Sequence, residues 1–226
     1  MRLAACALAV ATLAPMPAGA VEYMTIGEAV QKFIPTDAKI FKVTKHLSAQ
    51  HKDVLRDDYG WTPEKGEAVF YVGKRDGQPV AYVFVVPEIF NTCFHKYGVA
   101  MKPDGEVIET VIVELSCPRA FKINRKSFLS QFERKRHVDP LTVHADIDAV
   151  TGATLSSVAT ASAARKAVSL HHVLFAGGPR VDVAANVKQA REKAAHLIQR
   201  AIETGETLKK EGKGDGAAQL PPETGQ

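Results

Sequence analysis

The chain has 226 residues, of which 46% are hydrophobic, and carries a formal net charge of +4. That length fits one domain with an appendage. So mild a charge gives no case for a nucleic-acid partner.

Residues 1–20 read as a secretory signal peptide. Arg2 precedes an apolar run from Leu3 to Leu13, followed by Pro15, Pro17 and the small residues Ala18-Gly19-Ala20. A charge, a short apolar run and small residues before a cleavage point make up that plan. The run is shorter than the roughly 20 apolar residues of a membrane span. The expectation is cleavage before Val21 and export to the periplasm, with a retained N-terminal membrane anchor as the alternative. Cys6 lies ahead of most of the apolar run, which argues against lipidation there. Cleavage removes Arg2, taking the net charge from +4 to +3, and leaves Cys93 and Cys117. Two cysteines in an exported chain invite a disulfide.

Residues 21–64 read as an N-terminal helical segment. Thr25 followed by Glu28 makes a capping box ahead of Ile26, Ala29, Val30 and Phe33 at helical spacing, and Pro35 ends that helix. A second short helix is expected over residues 47–57, broken by Gly60.

Residues 65–175 read as the main domain. Two runs rich in Val, Tyr and Phe, Ala68 to Gly73 and Pro79 to Val86, flank Asp76-Gly77, a hairpin signal. A second hairpin joins Tyr97–Met101 to Val107–Leu115 through Pro103-Asp104-Gly105. Extended outward in regular register, it brings Cys93 within one residue of facing Cys117, a pairing that a bulge would spoil. Residues Arg125 to Arg136 read as one helix with Phe128, Leu129 and Phe132 on one face. Its basic face suits either solvent or an acidic redox partner.

The segment Asp148-Ala149-Val150-Thr151-Gly152-Ala153-Thr154-Leu155-Ser156-Ser157-Val158 sets a glycine and several hydroxyls just before a run that reads as helix to Phe175. Gly152 permits backbone angles barred to other residues. A helix starting near Thr154 aims free N–H groups and a positive dipole end at an anion. The alternative is a capping turn, with Thr or Ser at the N-cap and nothing bound. Beyond Gly177-Gly178-Pro179, Val183, Val187, Ala190, Ala194, Leu197 and Ala201 form an amphipathic stripe, read as a C-terminal helix over 180–211. That helix either packs back on the domain or docks a partner. Residues 212–226 read as a disordered tail.

Other signals are absent. No Gly-x-Gly-x-x-Gly, Cys-x-x-Cys-His or Gly-x-Ser-x-Gly occurs. His171-His172, and likewise His46 and His51, face different ways, so no shared metal is expected.

The stretch Asp148-x-x-Thr151-Gly152-Ala153-Thr154 resembles the flavinylation motif of FMN-binding domains. That family includes the G and C subunits of the Rnf and sodium-pumping NADH:quinone reductase complexes and the periplasmic domain of NosR-type regulators. Phe128-Leu129-Ser130-Gln131-Phe132 and Asp139-Pro140-Leu141 stand where the family has similar segments, and the resemblance spans residues 65–172. It implies FMN bound covalently through a phosphoester to Thr154, with Asp148 as the upstream acid. Thr151, Gly152, Ala153, Leu155 and Ser156 complete the cofactor-binding set. It implies a dedicated periplasmic FMN transferase as one partner, and a membrane electron-transfer complex or cytochrome as the redox partner. One departure stands out: relatives carry a Glu-containing, Gly-rich segment where this chain has Leu115-Ser116-Cys117-Pro118-Arg119-Ala120-Phe121.

The fold expected is α+β, with antiparallel hairpins forming a sheet, helices on one side and a C-terminal amphipathic helix. The function expected is an exported electron carrier, since no acid or base for work on a small molecule stands out. Its alternatives are the electron-input subunit of a flavin-dependent periplasmic reductase and a flavin-free sensory or structural domain.

Overall fold

The computed structural model describes residues 20–90, 93–117, 119–176, 191–192, 194–196 and 199–200. The expected signal peptide through Gly19, the tail 212–226 and most of the helix expected over 180–211 lie outside the described residues.

The fold is α+β. Six antiparallel strands form one sheet: β1 (Val21–Glu22), β2 (Lys39–His46), β3 (Glu67–Arg75), β4 (Gln78–Phe90), β5 (Cys93–Met101) and β6 (Val107–Leu115). Their order is β1-β6-β5-β4-β3-β2. Strands β2 to β6 thus form a meander, and β1 adds beside β6, with Val21 opposite Leu115. The two expected hairpins are present and are joined to each other. β4 pairs along β5 from Tyr82–Met101 to Phe90–Cys93. At the β3–β4 turn, Asp76 and Gly77 both take positive φ (51° and 78°), the geometry that matches hairpin twist.

The segment 21–64 is not purely helical. It supplies both edge strands, β1 and β2. β2 carries lysines at 39, 42 and 45 and is almost wholly exposed, as edge strands that resist further pairing are. The two expected helices are there. Helix α1 (Ile26–Phe33) starts from the Thr25–Glu28 capping box, with both reciprocal bonds made. Helix α2 (Ala49–Tyr59) ends at Gly60, whose φ of 69° closes the last turn.

Helices cover both faces of the sheet, not one. Side chains alternate along a strand. Phe70, Val72, Tyr82, Tyr97, Val99 and Met101 face the large core, shared with Leu55 and Tyr59 of α2 and with the long helix α4 (Thr154–His171). The opposite face, with Ala81, Val83 and Ala100, packs against Val30 of α1 and against Ile34. Gly73 on β3 makes that second layer possible. A Cβ there would lie 2.5 Å from Ile34 Cγ2.

The β5–β6 ladder is irregular, and the irregularity is what joins the cysteines. Near the turn Met101 opposes Val107. One shift then sets Tyr97 opposite Ile112, and another sets His95 opposite Leu115. Two single-residue bulges therefore carry the register into line with Cys93 and Cys117 instead of spoiling it. Their Cα atoms are 5.5 Å apart and the disulfide is formed.

The expected helix over 125–136 is broken. Only Lys126–Leu129 is α-helical (α3). Ser130–Phe132 tightens to a 3-10 turn, Glu133 is extended and Arg134 has φ of 64°. Phe128 and Phe132 are still buried on one side, which is what the apolar spacing requires. Past α4, Arg191 donates to the carbonyls of Pro140 (3.0 Å), Asp139 (3.0 Å) and Asp58 (3.2 Å), and Ala194 is buried. This part of the C-terminal helix packs back on the domain. Val183, Val187, Ala190, Leu197 and Ala201 of the expected stripe lie outside the described residues. Among the described residues no helix is long and apolar enough to cross a membrane.

Candidate functional site

The approach to α4 is shaped by side chains that bond backbone. Asp146 accepts from the amides of Leu141 (3.2 Å) and Thr142 (2.9 Å) and pairs with Lys135 (2.8 Å). Leu141 and His144 take positive φ (46° and 68°) within this turn, an unfavourable conformation that the surrounding bonds hold. Arg165 of α4 donates to the Leu141 carbonyl at 3.3 Å. Farther along, Gln131 clamps the backbone of Asp148. Its amide oxygen accepts from Asp148 N (2.7 Å) and its amide nitrogen donates to Asp148 O (3.2 Å). Ser157 fastens the far end: its fully buried hydroxyl accepts from Val150 N and donates to Ala153 O, both at 3.0 Å. The segment from Asp148 to Ala153 is therefore anchored at both ends.

Helix α4 begins at Thr154, as the sequence suggests. Its N-cap is Ala153, and no side chain caps it. The capping-turn alternative does not describe this helix end, because the position that would hold the capping hydroxyl is an alanine. The first amides of the helix keep their donor capacity and their share of the helix dipole. Gly152 has φ of 74°, and a Cβ on it would lie 3.0 Å from Lys122 Nζ. An ammonium group thus stands over the glycine, one turn of chain ahead of the helix.

The motif residues divide by exposure. Asp148, Thr151 and Gly152 are exposed and Thr154 is half-buried. Leu155 is 36% exposed, enough to offer an apolar surface beside the threonine. Ala153 and Ser156 are buried. The Ser156 carbonyl faces inward, accepting from Thr160 Oγ1 (2.8 Å) and Tyr97 OH (3.5 Å). The Ser156 carbonyl is therefore engaged in the interior, and its backbone amide remains at the helix end.

Three residues outside the expected set shape the site: Lys122, Gln131 and Ser157. Lys122 belongs to a 3-10 turn, Ala120–Ile123, that packs against α4. In the sequence it is one of four cations, Arg119, Lys122, Arg125 and Lys126, and the cluster itself was the available signal. Gln131 lay within a segment already singled out. Ser157 carried no signal separating it from Ser156.

Two cavities flank α4, and neither is lined by Thr154. One, of about 360 Å³, is walled by Tyr59, Arg165 and Arg191. The other, of about 400 Å³, includes Trp61, Lys166 and buried Glu88, which pairs with Lys166 at 2.8 Å. At the C-terminal end of α4 the expected divergence of the paired histidines holds. His171 meets Tyr82 edge-on, while His172 stacks on His137 at 3.8 Å. Burial, reinforced by His172, pushes both His137 and His171 down to about 4. Both are therefore neutral at pH 7.

No family model matches the chain, and no curated protein matches it.

Proposed function

We propose that this chain is an exported electron carrier that holds FMN through a phosphoester to Thr154 Oγ1. The observation that carries the reading is the start of α4. A threonine opens an uncapped helix end, two residues after a glycine at φ of 74° that has the Lys122 ammonium against it. Among the described residues, none hydrogen-bonds that hydroxyl. A phosphodiester keeps one negative charge. A helix N-terminus favours such a charge by about 0.3–1 kcal/mol, and an unblocked glycine lets backbone amides approach it.

The residues present fit such a group. Thr154 would supply the ester oxygen and Lys122 the countercharge. The amides of Thr154, Leu155 and Ser156 would receive the phosphate oxygens, and Leu155 would cover one apolar side. In the attachment step the Thr154 oxygen forms a bond to phosphorus and loses its proton. The bond that breaks is the phosphoanhydride of an activated flavin nucleotide delivered by a periplasmic transferase, and the other half of the anhydride leaves as a phosphate monoester that takes up the proton. When bound, FMN supplies reversible electron transfer. The chain's task is to hold it facing a redox partner, either a membrane electron-transfer complex or a cytochrome.

The test is covalent flavin content by intact mass on protein exported in its native host. Thr154→Ala is expected to carry none, with a native circular dichroism spectrum, and Thr154→Ser to carry some. A Thr154→Ala chain that still fluoresces as a flavoprotein on a denaturing gel would overturn the assignment.

A further inference from the structure

We propose that Cys93, Cys117 and His95 form a redox-gated site for a thiophilic divalent cation, closed while the disulfide stands and opened by its reduction. The three side chains come together because of the β5–β6 bulges. Those shifts put Cys93 and Cys117 in register at a Cα separation of 5.5 Å, with His95 two residues along the same face of β5. One ligand atom from each of the three lies within 4.8 Å of the others. Tetrahedral zinc, with Zn–S near 2.3 Å and Zn–N near 2.0 Å, needs donor atoms about 3.5–3.8 Å apart. Side-chain rotation alone covers that difference once the sulfurs are free.

The second observation is the state of His95. The residue is 1% exposed, and its Nε2 is buried with no hydrogen-bond partner. Its Nδ1 lies 2.9 Å from Tyr97 OH, which donates in turn to the Ser156 carbonyl. With its proton turned to that carbonyl, the tyrosine oxygen accepts from Nδ1–H. The tautomer this selects leaves a lone pair on Nε2. A buried acceptor without a donor costs about 1–3 kcal/mol, and a cation is the partner that would satisfy it. A metal-bound histidine whose other nitrogen is held by a polar neighbour is the usual pattern of such sites. Two thiolates, one neutral imidazole and a divalent ion sum to zero charge, which suits a half-buried position. Three protein ligands leave one coordination position for water or an exogenous ligand.

The chemistry balances with a protein dithiol as reductant. The sulfur–sulfur bond breaks, two electrons arrive from the dithiol as it closes its own disulfide, and each cysteine gains a proton. The cation then replaces both thiol protons and releases them. The oxidised and metal-loaded states exclude each other, because the same two sulfurs serve both. None of this rests on the flavin reading.

The experiment compares the full chain, oxidised and fully reduced, by titration with zinc chloride at pH 7 in buffers of different ionisation enthalpy. Cobalt(II) serves as a spectroscopic probe. The reduced chain is expected to bind one zinc ion, release about two protons, raise its Tm on binding and show a thiolate-to-cobalt charge-transfer band. The oxidised chain is expected to do none of these. Tyr97→Phe keeps all three ligands but frees the imidazole, so affinity should fall about 10- to 100-fold. Zinc that binds oxidised and reduced chains equally would overturn the proposal. So would binding that leaves the Tm of the reduced chain unchanged, or a Cys93→Ser, Cys117→Ser double variant that binds as the reduced chain does.

Discussion

Gly152→Val separates a glycine needed for the turn from a glycine needed for close approach. The backbone there sits at φ of 74°. A residue with a Cβ costs about 1–3 kcal/mol in that region, toward the upper end for a β-branched side chain. The added Cβ would lie 3.0 Å from Lys122 Nζ. That nitrogen is the far end of a flexible, exposed side chain, so it can swing aside at little cost to the fold. A domain stable by about 5–15 kcal/mol survives such a loss. At roughly 2–4 °C per kcal/mol, Tm should drop by about 2–12 °C. Flavin attachment should suffer far more, because the same Cβ displaces the ammonium that would face the phosphate. Circular dichroism and covalent flavin content are read on one sample. The expected pattern is a native-like domain with little flavin, with Gly152→Ala intermediate. A native-like Gly152→Val domain with full flavin content would refute the close-approach reasoning.

Ser157→Ala leaves Val150 N without its acceptor, so stability should fall by about 1–3 kcal/mol in chemical denaturation; an unchanged midpoint would deny Ser157 its fastening role. For pH, His137 and His171 sit near 4 when folded against an ordinary value near 6.5 when unfolded. The unfolded chain therefore binds more protons between these values, and stability falls as pH drops from 6.5 towards 4, with no contribution above that window. A Tm flat from pH 7 to pH 5 would contradict the burial of these rings. Reducing the Cys93–Cys117 bridge, which spans a sequence separation of 24, should cost about 3 kcal/mol in metal-free buffer. Peptide mapping without reductant that finds both thiols free in exported protein would remove the bridge from the fold.

Local chemistry was legible where a short segment decides its own shape. Asp76-Gly77, Thr25 with Glu28, and Gly60 each specify a turn or cap from neighbouring residues, and each appears as read. β2 was not legible. Lys39-Ile40-Phe41-Lys42-Val43-Thr44-Lys45-His46 is exposed on both faces at the sheet edge, so burial imposes no two-residue alternation on it. The placement of α1 depends on a contact between Ile34 and Gly73, far apart in sequence. A glycine inside a strand was the one hint of close approach. The disulfide was foreseen for an incomplete reason, since pairing continued regularly from Met101–Val107 misses by two residues and the two bulges close the gap. At the site, the start of α4 was readable because a glycine and a run of small residues announce it. Lys122 and Gln131 reach it from other segments, and such convergence leaves no periodic trace.

The meander also orders the events of folding. From β2 to β6 every strand pairs with its neighbour in sequence, and even the longest connection, residues 47–66 through α2, closes at modest entropic cost. β1 is the exception. Val21 pairs with Leu115, and that contact forms only after the whole intervening chain has been gathered. Contacts of such long separation tend to form after the barrier is crossed. The β1 edge is thus expected to close late, outside the nucleus. Loosening β1, for example with Val21→Gly, is expected to speed unfolding and leave the refolding rate nearly unchanged in stopped-flow measurements, whereas equal slowing of refolding would place β1 in the nucleus.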